Sequence, residues 1–533
     1  MTQADEPDRP EESSPSPEHG AVLLADAGPR SAAAGEASSR SRVGRALASV
    51  DPAWWVLAGI IVLWMVVFGQ LVWRRHDRFS SFGFDMAIFD QAVWLLSRFG
   101  SQFITIRGLP VFGHHGSPAL YLLVPFYWFG AGPHFLNLLQ VAAMATGAVP
   151  VFLLARHRLA NKWFAVLLAA VYLAHPSLQF MAWELFHPEA MAIPCLLLAY
   201  WFAIRKRWGW FAVSCVVAVG WKEDVALAVL VLGLVIALRG DLRVGLITAG
   251  VALGWFLFVT RFLIPEVSGN DAFYLSFFSD LGDTPGEMVG NVVRDPSLVG
   301  RRLVAPDAKS YLWKMTAPFG FVPLLAPDIL FIGVPQTLVN LLSVNDFTRK
   351  ITYHYAALPL TALTLATVEG IAFFSRNRPT TRGVLMGVVA ASALAATISW
   401  GPSPIGHEYR RGYWPLGEDS RHAAKVAALE VVPGKAGVSA TYQFDSHLTH
   451  RERVYEFPNP FKPSNWGVRD ENYPSPNQAE WLAVDTQLLG QGDRKVFDDL
   501  FATGQFEKRF ERDGIVVAER TNPAPTGTPG SGP

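Results

Sequence analysis

The feature that most restricts the fold of this chain is a series of apolar runs, the first from Trp54 to Trp73, which recur at short intervals as far as Ile398. Many of them approach the roughly 20 residues that an α-helix needs to cross a bilayer. Backbone polar groups cannot remain unpaired in lipid, so runs of this length predict membrane-spanning helices. The chain is 51% hydrophobic and 17% charged, which is too apolar for a soluble protein of 533 residues. The predicted fold class is therefore an α-helical polytopic membrane protein.

Loops rich in arginine and lysine predict the orientation of the spans, because such loops remain in the cytoplasm. Three arginines between positions 40 and 45 precede the first span and predict a cytoplasmic N-terminus. Counting from that start places the basic loops Arg156–Lys162 and Arg205–Arg207 in the cytoplasm as well. The run Trp208–Leu238 is too long for one span and is interrupted by charges, so it is interpreted as two short helices. The resulting count is about eleven spans.

Composition divides the chain into four parts. Residues 1–50, rich in Ser, Pro, Ala and Glu, predict a disordered cytoplasmic tail, and residues 521–533 predict a second disordered tail. Residues 51–400 form the predicted transmembrane domain of a multi-pass protein of the cell membrane. Residues 401–520 are polar, with helical and strand patterns, and predict a small soluble α/β domain outside the membrane. The formal net charge of zero gives no indication of a nucleic-acid partner.

Two aspartates, Asp85 and Asp90, lie in the aromatic-rich segment Gly83–Trp94, directly after the first predicted span. Asp85 precedes an apolar-periodic run, so it could be only a helix N-cap. Acids at membrane level are costly and usually serve a function, which favours a catalytic or metal-binding role for at least one of the pair. The two positions are about 140° apart around a helix, so a rigid helix would not direct both at one ion.

A second group of polar residues, Glu184, His187 and Glu189, lies in a predicted outer loop between two spans. Pro188 favours a capped turn that leads into the next span, with Glu189 at the positive end of that helix. The alternative is that Glu184, His187 and Glu189 are metal ligands, or that they support such ligands, on the same side of the membrane as Asp85.

Two further polar segments are candidates for binding. The triplet Lys222-Glu223-Asp224 separates two apolar runs, and its charges need partners or water. An internal ion pair would satisfy these charges. The alternative, functional interpretation is that Lys222 binds a phosphate. His114 and His115 form a weak signal, because neighbouring histidines in a glycine-flanked loop are often only solvated.

Most of the candidate residues discussed above belong to four motifs, which follow one another along the chain as Phe84–Gln91, His115–Pro118, Glu184–Ala190 and Lys222–Asp224. Together they resemble the bacterial membrane family catalogued as domain of unknown function 2079, and the resemblance covers roughly residues 54–520. The layout is also similar to the GT-C superfamily of integral membrane glycosyltransferases. In that superfamily an acidic motif in the first outer loop faces a sugar linked to a lipid phosphate, and a soluble domain often follows the spans.

The resemblance implies a transferase that moves a sugar from a polyprenyl-phosphate donor in the membrane to an envelope acceptor on the outer face. It implies a carboxylate that accepts the proton of the acceptor hydroxyl, and a cation that meets the phosphate. A divalent metal ion, Mg²⁺ or Mn²⁺, is the expected cofactor. The candidate residues are Asp85 and Asp90 for catalysis, Lys222, Arg74, His115 and Glu223 for substrate binding, and Asp90, His187, Glu189 and Glu184 for the metal.

Two other functions remain open at this point. One is a transporter or flippase in which the same charged residues line a path across the membrane. The other is a non-catalytic envelope assembly protein whose soluble domain binds a partner. The sequence contains no Walker loop and no Gly-x-Ser-x-Gly motif, so nucleotide-driven transport and serine hydrolysis have no support.

Overall fold

The structure is a computed structural model that describes residues 50–269, 273–417, 419–467 and 473–524. The tails predicted at 1–50 and 521–533 lie outside the described residues, apart from residue 50 and residues 521–524. The description below refers to the four described ranges.

The described part of the chain contains five helices that are long and apolar enough to cross a bilayer, which confirms a helical membrane protein. A sixth candidate is a bent pair, Lys162–Ala174 and Pro176–Glu184, whose axes differ by 47°. The bend falls at Pro176, which lacks the N–H needed to continue the helix. The five long helices are Pro52–Asp77, Pro133–Leu159, Leu242–Ser268, His354–Phe374 and Pro379–Trp400.

Other predicted spans are apolar helices of less than spanning length, so the structure gives five or six full-length spans where the sequence predicts about eleven. The run Trp208–Leu238 breaks at the charged triplet into two short helices, as predicted. The shorter apolar helices are Pro118–Trp128, Pro188–Ile204, Trp208–Val219, Val225–Arg239 and Pro327–Leu342.

Polar connections between these helices contain short elements of their own. The acidic motif forms one π-helical turn, Gly83–Ala87, that continues into the α-helix Ile88–Arg98. After it, strands β1 (Phe103–Ile104) and β2 (Leu109–Pro110) form an antiparallel pair. The remaining short helices of this part are Val111–His114, Phe273–Phe278, Pro285–Arg294, Ser297–Leu303, Pro306–Thr316, Ala317–Phe319 and Asp346–Arg349.

The predicted soluble α/β domain corresponds to a five-stranded sheet with helices. Its strands are β3 (Val438–Ala440), β4 (Val454–Glu456), β5 (Trp481–Asp485), β6 (Phe506–Arg512) and β7 (Ile515–Arg520). The spatial order is β4-β3-β5-β7-β6, in which β3 pairs in parallel with β4 and β5, and the other pairs are antiparallel. The helices of this domain are His407–Arg410, His422–Val431, Tyr442–Asp445 and Gln491–Ala502.

Asp513 and Gly514 form the turn of the hairpin between β6 and β7. Both turn residues have a positive φ, 53° for Asp513 and 80° for Gly514, which is the conformation that an Asp-Gly hairpin favours. The strands meet over an apolar core that the helix Gln491–Ala502 helps to cover through Phe497 and Leu500.

The C-terminal domain contacts the segment that follows the first long helix. Gln91 donates to the carbonyl oxygens of Arg451 and Glu452 through Nε2 at 3.3 Å each. The hydroxyl of Thr105 donates to the carbonyl of Val454 at 2.7 Å and accepts from the N–H of the same residue at 2.9 Å. These bonds place the edge of the domain beside the acidic motif.

Candidate functional site

A cavity of about 940 Å³ lies between the acidic motif, the loops of the membrane helices and the C-terminal domain. Its lining contains both polar and apolar side chains. The apolar lining residues include Leu227, Phe256, Leu275, Phe277, Phe278, Val339 and Phe347. The sequence-predicted residues in the lining are Asp85, His115, Glu184, His187, Glu189, Lys222 and Glu223.

Asp85 is the carboxylate that faces the cavity from the acidic motif. It lies inside the turn Gly83–Ala87, whose N-cap residue is Phe82, so the interpretation of Asp85 as an N-cap is wrong. Its side chain is 42% exposed, and Oδ1 lies 3.7 Å from Nε2 of His187. Burial favours a raised pKa, but the interaction with the nearby His187 outweighs it and lowers the pKa of Asp85. Asp85 is therefore an ionised carboxylate that can accept a proton.

Hydrogen bonds to Gln140 position His187 in the loop between two helices. The backbone N–H of His187 donates to Oε1 of Gln140 at 2.5 Å, and Nε2 of Gln140 donates to the carbonyl of Met181 at 2.8 Å. Leu185, two residues earlier, has a φ of 78°, which is strained for a residue with a side chain. Burial alone would lower the pKa of His187, yet the charges of Glu184 and Asp85 raise it to about 9. The surroundings of this ring therefore attract positive charge.

Glu184, His187 and His354 form a group that could hold a metal ion. Each offers one ligand atom, and these atoms lie within 4.8 Å of one another. The two imidazole rings stack with centroids 4.0 Å apart, and Glu184 Oε1 lies 2.8 Å from Nδ1 of His354. Nε2 of His187 and Oε2 of Glu184 are buried and have no hydrogen-bond partner. Two imidazoles and a carboxylate are a donor set that fits a transition-metal ion better than Mg²⁺.

Lys222 provides the positive charge on the cavity wall. It contacts the carboxylate of Glu189 and lies 3.4 Å from Oδ2 of Asp224. Burial would lower the pKa of Lys222, but the charges of Asp224 and Glu189 raise it well above its ordinary value. The ammonium group therefore stays charged in a buried position, where it can meet an anion.

The turn at His115 packs against the charged triplet. Nδ1 of His115 lies 2.8 Å from Oε1 of Glu223, and the N–H of Gly116 donates to Oε2 of the same carboxylate at 3.1 Å. A β-carbon on Gly116 would lie 2.2 Å from Cγ1 of Val259, so this backbone approaches the helix Leu242–Phe258 and its π-helical continuation closely. Glycine is required here for space.

Two sequence candidates lie elsewhere in the described part of the chain. Asp90 is fully buried and accepts hydrogen bonds from the hydroxyl of Tyr127 at 2.5 Å and from the hydroxyl of Thr449. Nε2 of His450 lies 3.2 Å from the same carboxylate. Arg74 is exposed and is not among the residues that line the cavity. The cavity thus combines Asp85 with Lys222, and leaves Asp90 to join the motif to the C-terminal domain.

Three further parts of the cavity wall have no clear motif in the sequence. His354 begins a long helix and has no local pattern that marks it as part of a site. Arg107 donates to the carbonyl of Gly467 at 2.9 Å and to that of Asn465 at 3.3 Å. Through these bonds the segment Pro463–Gly467 of the C-terminal domain becomes part of the wall.

Fold and cavity together define a helical integral membrane protein whose cavity is lined by both its membrane helices and its C-terminal domain. Two crystal structures of ArnT from Cupriavidus metallidurans are similar to it. The structure bound to undecaprenyl phosphate has 13% identity and a TM-score of 0.50, over 86% of this chain and 97% of that chain. The apo structure has 14% identity and a TM-score of 0.51, over 88% and 98%. At such low identity the likeness establishes the fold alone.

Residues 75–517 match the family of predicted membrane proteins described as DUF2079. The match covers most of the chain, so the protein belongs to that family. No protein in the curated set matches it.

Proposed function

We propose that this protein is a membrane glycosyltransferase that moves a sugar from a polyprenyl-phosphate donor to an acceptor of the cell envelope. The observation that carries the proposal is the convergence of an ionised carboxylate, Asp85, and a buried cation, Lys222, on one cavity. The lining of that cavity also contains many apolar side chains, which suits a lipid that carries an anionic head group. The likeness to a structure of ArnT bound to undecaprenyl phosphate supports a lipid of the same class.

In the proposed reaction the acceptor hydroxyl attacks the anomeric carbon of the donor. Asp85 takes the hydroxyl proton as general base while the bond between the acceptor oxygen and the sugar forms. The bond between the sugar and the phosphate oxygen breaks, and its electron pair leaves with the polyprenyl phosphate. Lys222 stabilises the charge that develops on that phosphate.

Other residues of the cavity would position these two groups. His187 contacts Asp85 and orients its carboxylate. Glu189 and Asp224 contact Lys222 and keep its ammonium group charged. We assign no catalytic role to Asp90, because its hydrogen bonds to Tyr127 and Thr449 use its carboxylate away from the cavity.

A metal ion fits the group Glu184, His187 and His354. Such an ion would supply positive charge to the acidic side of the cavity. Of the two metals that the sequence suggests, the imidazole ligands favour Mn²⁺ over Mg²⁺, and Zn²⁺ suits them well. We therefore propose Glu184, His187 and His354 as the ligands of the expected metal ion; Oε1 of Glu189 lies 3.4 Å from Nε2 of His354.

We further propose that the cavity opens on the outer face of the membrane and that the N-terminus is cytoplasmic. The support is the distribution of basic residues, because Arg156, Arg158 and Arg205–Arg207 lie at the ends of helices that lead away from the cavity-lining loops. On this orientation the C-terminal domain is extracytoplasmic.

The test is a transfer assay with purified protein in phospholipid vesicles. Undecaprenyl phosphate linked to hexoses or pentoses serves as donor, cell-envelope extract supplies acceptors, and the release of undecaprenyl phosphate is measured. Asp85→Asn should lower turnover by about 10²- to 10⁴-fold with little change in lipid binding. Lys222→Gln should weaken binding of undecaprenyl phosphate. Asp498→Asn, on an exposed helix face, is the matched control.

Two results would contradict the proposal. Near wild-type turnover in Asp85→Asn would show that another group is the base. Absence of release from every donor, in vesicles that still bind undecaprenyl phosphate, would favour a lipid transporter or flippase, or a non-catalytic assembly protein.

A further inference from the structure

Two carboxylates of the C-terminal domain, the buried Asp445 and the half-buried Glu456, lie beside the acidic motif and outside the cavity lining. Asp445 ends the short helix Tyr442–Asp445 and is fully buried. Glu456 ends strand β4, which pairs with β3. Within the described ranges, both oxygens of Asp445 and Oε2 of Glu456 are buried and have no hydrogen-bond partner. The N–H of Ser446 approaches Asp445 without reaching hydrogen-bond geometry.

These carboxylates lie close to the backbone of the motif. The helix Tyr442–Asp445 packs against both β4 and the turn Gly83–Ala87. A β-carbon on Gly83 would lie 2.0 Å from either oxygen of Asp445, so glycine is needed for this approach. Burial, and then the charge of Glu456, raise the pKa of Asp445, and burial together with Asp85 raises that of Glu456 to about 7. The two acids therefore lie close enough for the charge of one to affect the other.

The ionised state does not satisfy this pair by itself. Two ionised carboxylates repel each other, and their buried oxygens have lost the water that stabilised their charge. A buried polar group without a partner calls for a water molecule or an ion. Because two acids are involved, a cation meets the requirement better than a neutral water does.

We propose that Asp445 and Glu456 bind a Ca²⁺ ion at the junction between the C-terminal domain and the turn Gly83–Ala87. Calcium prefers carboxylate and carbonyl oxygens and tolerates irregular coordination, whereas Mg²⁺ demands a near-ideal octahedron. The site contains no imidazole and is distinct from the group at Glu184, His187 and His354. It does not depend on the reaction that the cavity carries out.

The consequence of such an ion would be positional. It would fix the C-terminal domain to Gly83, two residues before Asp85. Together with the bonds that Thr449 and His450 make to Asp90, it would hold both ends of the motif against the same domain.

The test is calcium binding by the full-length protein in detergent. After treatment with EDTA, equilibrium dialysis against ⁴⁵Ca²⁺ should find about one bound ion per chain, and CaCl₂ should raise the thermal unfolding temperature. Asp445→Asn should abolish both effects, and the unfolding transition of the EDTA-treated variant checks that it still folds. Glu456→Gln should weaken calcium binding at least tenfold.

Two controls separate this site from other acids. Asp498→Asn removes an exposed carboxylate of the same domain, and His354→Ala removes a ligand of the imidazole-containing group, so both variants should keep the calcium response. If the wild-type protein binds no calcium at millimolar concentration, the pair holds water or a proton and the proposal is wrong. Calcium binding that persists in both Asp445→Asn and Glu456→Gln would likewise overturn it.

Discussion

Asp90 and Asp85 belong to one short segment and have different surroundings, which separates a structural acid from the proposed general base. Asp90 accepts from Tyr127 and Thr449 and is fully buried, whereas Asp85 faces the cavity. The five-residue separation already indicates that one helix would not direct both at the same point. The sequence could not say which acid faces a ligand, because that depends on Thr449, which lies 359 residues away along the chain.

Asp90→Asn should therefore lower stability without removing turnover. The amide offers fewer acceptor sites to its three partners, and the expected loss is about 1–3 kcal/mol in the free energy of unfolding. Tyr127→Phe removes one of these bonds and should cost less. Thermal unfolding and the transfer assay check both variants. Unchanged stability together with lost turnover in Asp90→Asn would instead assign Asp90 to the chemistry.

The close approach at Gly116 gives a second prediction at this scale. Gly116→Ala should destabilise the protein by about 1–3 kcal/mol, because the new methyl group meets Cγ1 of Val259. The double variant Gly116→Ala with Val259→Ala should recover part of that loss, since it removes the colliding methyl group. Gly100→Ala, where a β-carbon meets nothing within 4 Å, is the control. Equal stability of Gly116→Ala and Gly100→Ala would contradict the predicted collision.

At the level of elements, the sequence predicted where apolar helices are interrupted better than it predicted how long they are. The helices on either side of Lys222-Glu223-Asp224 end where three charges interrupt an apolar run. The bend at Pro176 and the short helix Pro327–Leu342 depend on how proline-containing segments pack, which hydropathy alone does not give. His354 shows the same limit, since its partners Glu184 and Glu189 follow from packing and not from spacing.

Glycines hold two neighbouring membrane helices together. A β-carbon on Gly245 would lie 2.3 Å from the backbone nitrogen of Ala237, and one on Gly233 would lie 2.8 Å from the carbonyl oxygen of Gly245. Small residues at such a crossing let the backbones approach closely. Gly245→Val should therefore separate the helices and lower the thermal unfolding temperature, with Gly250→Val and Gly254→Val as controls. Those two positions have open space on the same helix. A similar decrease in all three variants would point to helix propensity as the cause.

At the scale of the whole molecule, the cavity is assembled from parts that are distant in sequence. The segment after the first long helix contributes Asp85, and a mid-chain turn contributes Lys222. A late helix contributes Tyr355, and the C-terminal domain contributes Asn465. Motifs in the sequence predicted the first two parts, because charged residues between apolar runs are conspicuous. They could not predict Arg107 and Asn465, whose hydrogen bond is a tertiary contact with no local pattern. The domain is thus part of the site.

The proposed metal site offers a test of this assembly, because its three ligands, Glu184, His187 and His354, meet only when distant helices pack correctly. We expect protein purified without chelator to contain about one transition-metal ion per chain by elemental analysis, with Zn²⁺ or Mn²⁺ preferred over Mg²⁺ because of the two imidazole ligands. His354→Ala should remove the ion and lower the thermal unfolding temperature. His407→Ala, whose ring is half exposed outside the cavity, should do neither. Equal metal content in both variants would show that the ion binds elsewhere, and the imidazoles would then serve only to orient Asp85 and Glu184.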